Sequence, residues 1–397
     1  MQPRTCSLLV ALLLGFVFSP SGIAAQNGVV SGTVFEDTNG NGVRDPGERA
    51  LRDVAVSNQG AVVTTSASGA YRLPRGTTGV VFVSVPDGYR AVGSFWHRTD
   101  DGAASVDFAL APIMRAATFT FIHASDTHVA PASLARTQRF RAIADSLKPA
   151  FVIVTGDLVR DALRVGEAEA TGYYEMFGRE AALFRSPVFT IPGNHENFGI
   201  ERGQSHVEIT HPLYGRAMYH HFRGPDYYSF TFGGVHFVGL NSVDIDDQWY
   251  YGHVDSLQMA WLERDLALVP ASMPVVTFNH IPFFTSIEDM NGFRDDPPAP
   301  TLITVHGKTQ FRHTIANAGD VLTILRKHKH VLALGGHLHA GEHIEYEIDG
   351  LKTRFNQVPA IVSPSNGAGI QFRSGIEIYN VRNGVIDSGR FIPLALP

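Results

Sequence analysis

Residues 118–128 read Thr-Phe-Thr-Phe-Ile-His-Ala-Ser-Asp-Thr-His, an apolar and aromatic run that ends in two metal-competent side chains, Asp126 and His128. Such a run predicts a strand buried on both faces, with its carboxyl end leaving the core at Ser125. The pattern then recurs along the chain. Phe151–Thr155 is followed by Gly156-Asp157, and Val188–Pro192 by Gly193-Asn194-His195-Glu196. Val275–Phe278 leads to Asn279-His280, and Val331–Leu334 to Gly335-Gly336-His337-Leu338-His339. Between these runs Phe140, Ile143, Ala144 and Leu147 fall at helical spacing, as do Met259, Leu262 and Leu266, and Val321, Ile324 and Leu325. The alternation predicts an α/β region over 117–397 with a largely buried central sheet, strand-rich again from Glu345 to Phe391.

Ligands of open α/β sheets bind beyond the carboxyl ends of the strands. Asp126, His128, Asp157, Asn194, His280, His337 and His339 are therefore expected on one rim. Hard oxygens and imidazoles without sulfur suit two divalent metals that share a carboxylate. Each residue alone has an ordinary reading. Asp157 can cap a helix, Asn194 can sit in a turn, and a lone histidine is usually a satisfied core residue. The ordered set, one member or pair after each apolar strand, is what argues for a site.

Composition agrees. A chain of 397 residues with 44% hydrophobic and 18% charged residues buries a substantial core, in two or three domains. With 39 Gly and 22 Pro it is turn-rich without being low-complexity. A net charge of −6, from 32 basic and 38 acidic residues, argues against a nucleic-acid-binding surface. The 18 histidines are the outlier, and they direct attention to metals.

Arg4 precedes the apolar run Leu8–Phe18, which is too short to span a bilayer, and Gly22, Ala24 and Ala25 offer a cleavage point. Residues 1–25 thus read as a secretory signal peptide. Cys6, the single cysteine, lies inside it, so no thiolate or disulfide is expected in the mature chain. No later run reaches membrane-spanning length, and the expected location is periplasmic or secreted. Nothing in the sequence sets an oligomeric state.

Residues 27–112 have a different rhythm. Val29–Phe35, Val62–Thr65, Tyr71–Leu73, Val80–Val85 and Val106–Leu110 read as short strands of a small antiparallel β-sandwich. Asp37-Thr38-Asn39-Gly40-Asn41-Gly42-Val43-Arg44-Asp45-Pro46-Gly47-Glu48 fits a calcium loop. Asp37, Asn39, Asn41, Asp45, Glu48 and the Val43 carbonyl would supply oxygens, with Gly42 at the sharp turn. The alternative is an Asn-Gly-rich turn without an ion. Through Gly32–Glu48, Gly69-Ala70-Tyr71 and Val85-Pro86-Asp87-Gly88-Tyr89 this part resembles transthyretin-like or Cna-B-like modules, which tether, space or bind rather than catalyse.

The larger part is similar to calcineurin-like metallophosphoesterases. Their signature of D-x-H, G-D, G-N-H-[DE], a lone H and G-H-x-H is complete here over residues 117–397. Tyr227-Tyr228-Ser229-Phe230 before Val235-His236-Phe237, and Gln258 with Trp261-Leu262-Glu263, also agree. The resemblance implies a β-sandwich flanked by helices, with a dinuclear site at its rim. It implies one metal on Asp126, His128, His339 and the bridging Asp157, and a second on Asp157, Asn194, His280 and His337. It implies hydrolysis of phosphomonoesters or phosphodiesters by a metal-bridging hydroxide. His195 would then assist the leaving group or contact phosphate, or else serve only as a hydrogen-bonding neighbour.

Two positions depart from the family. Purple acid phosphatases place a tyrosine ligand where this chain has Arg160, which favours Mn, Zn or Fe(II) over a tyrosinate-bound Fe(III). Arg160 is instead a candidate phosphate contact, or a partner of Asp161 in a surface ion pair. The usual Asp after the Val-His-Phe strand is Asn241 here. His123, His206, His220 and His221 are candidates for the pocket, with ordinary loop and core roles as the default. Loops Arg160–Met176, Phe198–Met218 and Thr285–Thr314 are expected to shape it. The alternative of a different class is a calcium-dependent surface-binding protein with a degenerate phosphoesterase domain, and the complete donor set weighs against it.

Overall fold

The five apolar runs all form strands, but they divide between two sheets. The computed structural model describes residues 28–99, 102–287, 290, 300–348, 350–367 and 370–395. The expected signal peptide and Cys6 lie outside them. Thr118–Ala124, Phe151–Thr155 and Val188–Ile191 run parallel in one six-stranded sheet. Gly375–Arg382 pairs antiparallel with Thr118–Ala124, and Val385–Ile386 and Arg390–Pro393 complete the sheet. The second sheet runs Tyr228–Phe232, Val235–Gly239, Pro274–Phe278, Lys329–Gly335, Leu351–Gln357, Glu342–Ile348.

Periodicity suggests one central sheet; the chain instead has two sheets packed face to face, the β-sandwich flanked by helices that the family resemblance implies. Phe121 and Phe151 of the first meet Phe237 of the second, with ring centroids 5.5 and 5.1 Å apart. Their neighbours Ile122, Val152 and Val154 point the other way, onto Phe140, Ala144, Tyr174 and Phe177 of helices Leu134–Leu147 and Glu167–Ala182. Helices Ser256–Leu266 and Ala318–Leu325 add Trp261, Leu262, Val321 and Leu325 to the cluster of the second sheet. Each strand is apolar on both faces because one meets a sheet and the other a helix. A hydrophobic run does not record which, so a sandwich and a single covered sheet read alike.

Residues 29–112 form two four-stranded sheets. Strands Ala55–Ser57, Tyr89–Ala91 and Trp96–Arg98 were not foreseen, being three residues each and too short to show alternation. Nor is the module wholly antiparallel. Val29–Glu36 lies parallel to Phe108–Pro112, since the strands between them provide the crossover that a parallel pair needs.

This region does not hang on a linker. Phe82 belongs to the same core as the second large sheet and sits edge-on to Tyr228 and Trp261, at 6.5 and 6.4 Å. The amide of Thr231 donates to the Val85 carbonyl at 2.9 Å, an isolated β-bridge across the junction. Buried Asp226 accepts from Gln59 Nε2 at 2.7 Å and from Asn241 Nδ2 at 2.8 Å, and His220 Nε2 lies 3.0 Å away. Burial alone would raise the Asp226 pKa, but His220 and Arg216 outweigh it and hold the group ionised. Asn241 is explained by this contact. An aspartate there would set two carboxylates against each other, whereas the amide donates to Asp226 and accepts from Val243 N at 2.9 Å.

Candidate metal centre

The strand ends turn sharply, and the backbone shows it. Asp126, His128, Asp157, His337 and His339 all have positive φ, from 39° to 74°. Left-handed non-glycine residues cost of order 1–3 kcal/mol each and persist where surrounding structure over-determines them. Two glycines permit the close approach. A Cβ on Gly193 would lie 2.2 Å from Asp157 Oδ1, and one on Gly336 would lie 1.9 Å from Ser125 Oγ.

The seven predicted donors meet at one rim. Asp157 Oδ2 lies 3.5 Å from His128 Nε2 and 3.2 Å from His280 Nε2, midway between two groups. On one side Asp126 Oδ1 is 3.2 Å from His339 Nε2 and 3.8 Å from His128 Nε2, and the two imidazole nitrogens are 3.3 Å apart. On the other, His280 Nε2 is 3.1 Å from Asn194 Oδ1 and 3.2 Å from His337 Nδ1. Asp126-His128-His339 and Asp157-His280-His337 each hold three ligand atoms within 4.8 Å of one another.

Too few protons face this many lone pairs. Asp126 Oδ1 is buried with no well-aligned hydrogen bond, facing only imidazole nitrogens such as His339 Nε2 at 3.2 Å, an arrangement that a cation would satisfy. Burial, helped by His195, pushes His128 down to about 4, and burial with His313 and His280 holds His337 well below its usual range, so both present free lone pairs. Burial would raise Asp157, but His280 and His195 hold it ionised; Asp157 in turn lifts His280 to about 9 against burial. The outer ring nitrogens are engaged as ligand imidazoles require. His280 Nδ1 faces Thr155 O at 2.7 Å, His128 Nδ1 faces Arg160 O at 3.3 Å, and His337 Nε2 faces His313 Nδ1 at 2.7 Å. The donor set fits two divalent cations sharing Asp157.

Glu196, the last residue of the Gly193-Asn194-His195-Glu196 motif, is not among the metal donors. It is fully buried and accepts four backbone N–H groups. Asp157 N and Gly193 N donate to Oε2 at 3.0 and 2.6 Å, and Leu158 N and Val159 N to Oε1 at 2.8 and 3.0 Å. Burial and the Asp157 carboxylate push its pKa up to about 8 against the pull of these donors. Glu196 therefore ties the Asp157 loop to the Asn194 turn. The Glu196→Ala substitution is expected to lower the unfolding free energy by roughly 3 kcal/mol or more, because several buried N–H groups lose their acceptor. Urea denaturation checks this, and Glu196→Gln, which keeps one acceptor oxygen, should lose less.

Asn194 faces His280, whereas its neighbour His195 faces His128. Its ring is 4.6 Å from that of His128, with Nε2 3.9 Å from Asp157 Oδ2 and Nδ1 3.8 Å from Asp161 Oδ1. Its side chain stays 21% exposed, open to the cavity. His195, His128 and Asp157 also form a third close group, so geometry alone permits a ligand role. Arg160 is exposed and lines the same cavity, while Asp161 pairs with Arg164 at 3.1 Å.

The cavity measures about 570 Å³. Of the three expected loops, Arg160–Met176 contributes Arg160 and Thr285–Thr314 contributes His313, but Phe198–Met218 contributes nothing. Tyr250, Val362 and Ser365 take its place, and no motif pointed to them. The four secondary histidines lie elsewhere. His123 is buried against Thr155 Oγ1, His206 is exposed, His220 faces Asp226 and His221 faces Arg98.

In the N-terminal loop the oxygens already have partners. Asp37 accepts from Gly40 N and Gly42 N, both at 2.7 Å, and Glu48 from Thr38 N at 2.8 Å and Asp45 N at 3.0 Å. The amides of Asn39 and Asn41 both meet Asp45 Oδ2 at 2.8 Å, and Val43 is exposed.

The family model for calcineurin-like phosphoesterases matches residues 119–341, more than half of the chain. Two curated relatives, the 3',5'-cyclic adenosine monophosphate phosphodiesterases CpdA of Escherichia coli K12 and O157:H7, are each 21% identical over 252 residues. The match covers 57% of this chain and 72% of theirs. Among solved structures, a dimetal phosphatase from Danio rerio is similar at 16% identity and a TM-score of 0.42, over 70% of this chain and 99% of that one. PhoD is similar at 15% identity and a TM-score of 0.44, over 90% of this chain and 84% of that one. With the signature complete and its donors gathered at one rim, the chain belongs to the calcineurin-like phosphoesterase family.

Proposed function

We propose that this metal-dependent phosphoesterase acts on phosphodiesters in preference to monoesters. Asp126, His128, His339 and Asp157 would hold one metal, and Asp157, Asn194, His280 and His337 the other. The observation that carries the reading is the position of Asp157 Oδ2 between His128 and His280. Divalent ions held by these residues would activate water for attack at neutral pH and would offset charge on the phosphoryl oxygens. His195, open to the cavity, gives a proton to the departing oxygen, and Arg160 contacts the phosphate. The preference for diesters draws on the similarity to the E. coli 3',5'-cyclic adenosine monophosphate phosphodiesterases. The N and O donors suit Mn, Zn or Fe. A panel of aryl monoester, aryl diester and 3',5'-cyclic AMP with Mn²⁺ added tests the proposal. Diester turnover should exceed monoester turnover, and the reverse would contradict it.

The reading includes a secreted or periplasmic location, with residues 1–25 removed, and residues 27–112 as a transthyretin-like or Cna-B-like module. Among the described residues no helix is long and apolar enough to cross a membrane. Calcium in the Asp37–Glu48 loop also belongs to this proposal, supported by the spaced oxygens and by Gly42 at φ 77°. An ion bound only to the native state raises its stability. Calcium is expected to raise the melting temperature of the full chain by a few degrees relative to EGTA, roughly what 1–2 kcal/mol yields. An unchanged melt leaves only the hydrogen-bonded turn.

A further inference from the structure

A second cavity, of about 680 Å³, lies at the junction of the N-terminal sheets with the sandwich and shares no lining residue with the metal rim. Its volume is that of a small-molecule site. Phe95, Trp96, Ile113, Val188, Phe189 and Phe232 make the wall largely apolar, and among the described residues the only charged ones lining it are Arg90 and Arg223. No carboxylate lines it to balance them. Arg223 closes helix Arg216–Arg223 and lies over the Phe177 ring at 5.0 Å. Its Nε is buried and has no hydrogen-bond partner.

Two arginines on an otherwise apolar wall, with no carboxylate among them, favour an occupant that provides both an anion and a hydrocarbon surface. A small hydrophilic anion would leave the aromatic walls uncovered. A neutral hydrocarbon would leave the positive charge of Arg90 and Arg223 unbalanced. We propose that this cavity binds a free single-chain amphiphile with an anionic head, of the medium-chain fatty-acid class. The head would meet Arg223, and the tail would lie along Phe95, Trp96 and Phe189.

Laurate, kept below its micellar concentration, is titrated into the full chain and followed by tryptophan fluorescence, to which Trp96 contributes, and by calorimetry. Saturable binding of one laurate per chain is expected. Arg223→Gln should weaken it roughly tenfold or more, since a charge-assisted hydrogen bond is lost. Gly178→Leu is the second variant. Gly178 lines the cavity from helix Glu167–Ala182, and a Cβ there meets nothing within 4 Å, so leucine fills the space without touching the core. It should abolish binding while the chain melts as before. Non-saturable uptake overturns the proposal. So does dodecanol binding as tightly as laurate with Arg223→Gln unaffected, or displacement of laurate by inorganic phosphate alone.

Discussion

Asp157→Asn is expected to abolish dinuclear metal binding and to lower kcat/KM by at least about 10³-fold, some 4 kcal/mol of barrier. The substitution keeps the shape, and the amide oxygen can still accept from His195 N, which donates to Asp157 Oδ1 at 3.0 Å. What it removes is the anion that faces His128 and His280 together. Without that charge, two cations would repel across a neutral amide, and one site should empty first. Metal analysis alongside kinetics checks the result. A fully metallated variant with normal turnover would refute the bridging role. The metal-free variant should melt below metal-loaded wild type, as the loss of native-state ligands requires, and close to metal-free wild type, because the Glu196 hydrogen bonds that hold the loop remain.

His195→Ala is expected to keep its metals and lose activity according to the leaving group. General-acid help is worth typically 10²–10⁴-fold, or about 3–5 kcal/mol. A basic alkoxide needs it, whereas a nitrophenolate departs unaided. The loss should therefore be much larger on alkyl than on nitrophenyl esters. Equal losses on both would assign His195 to orienting the phosphate. Loss of a metal would place it among the ligands, using the close group it forms with His128 and Asp157.

The metal rim was legible because the chemistry sits within a few residues of each strand end, where sequence order and spatial order coincide. Asp126, His128, His337 and His339 are read directly from the two runs that precede them. The division into two sheets was not legible in the apolar periodicity, because Val152 facing a helix and Phe151 facing a sheet are equally apolar; only the family signature implied it. His313 escaped for another reason. It follows the hairpin Leu302–Phe311 with no motif around it, and meets His337 only through the fold. Tyr250, Val362 and Ser365 reach the cavity in the same way, from distant segments. Glu196 did leave a signal, an acid three residues after Gly193 in the spacing of a capping box, but its four N–H partners come from two separate strand ends. Phe82 resembled any inward residue of a small sandwich, and nothing in its surroundings said that its partners would be Tyr228 and Trp261.

The central claim is that Asp157 joins two metals into one catalytic unit, and stoichiometric reconstitution tests it most directly. Chain stripped with EDTA is titrated with Mn²⁺ while hydrolysis of an aryl phosphodiester and bound metal are measured together. Activity should be absent without metal, rise with occupancy and saturate at two equivalents per chain. Full activity at one equivalent, or in the stripped protein, would contradict it.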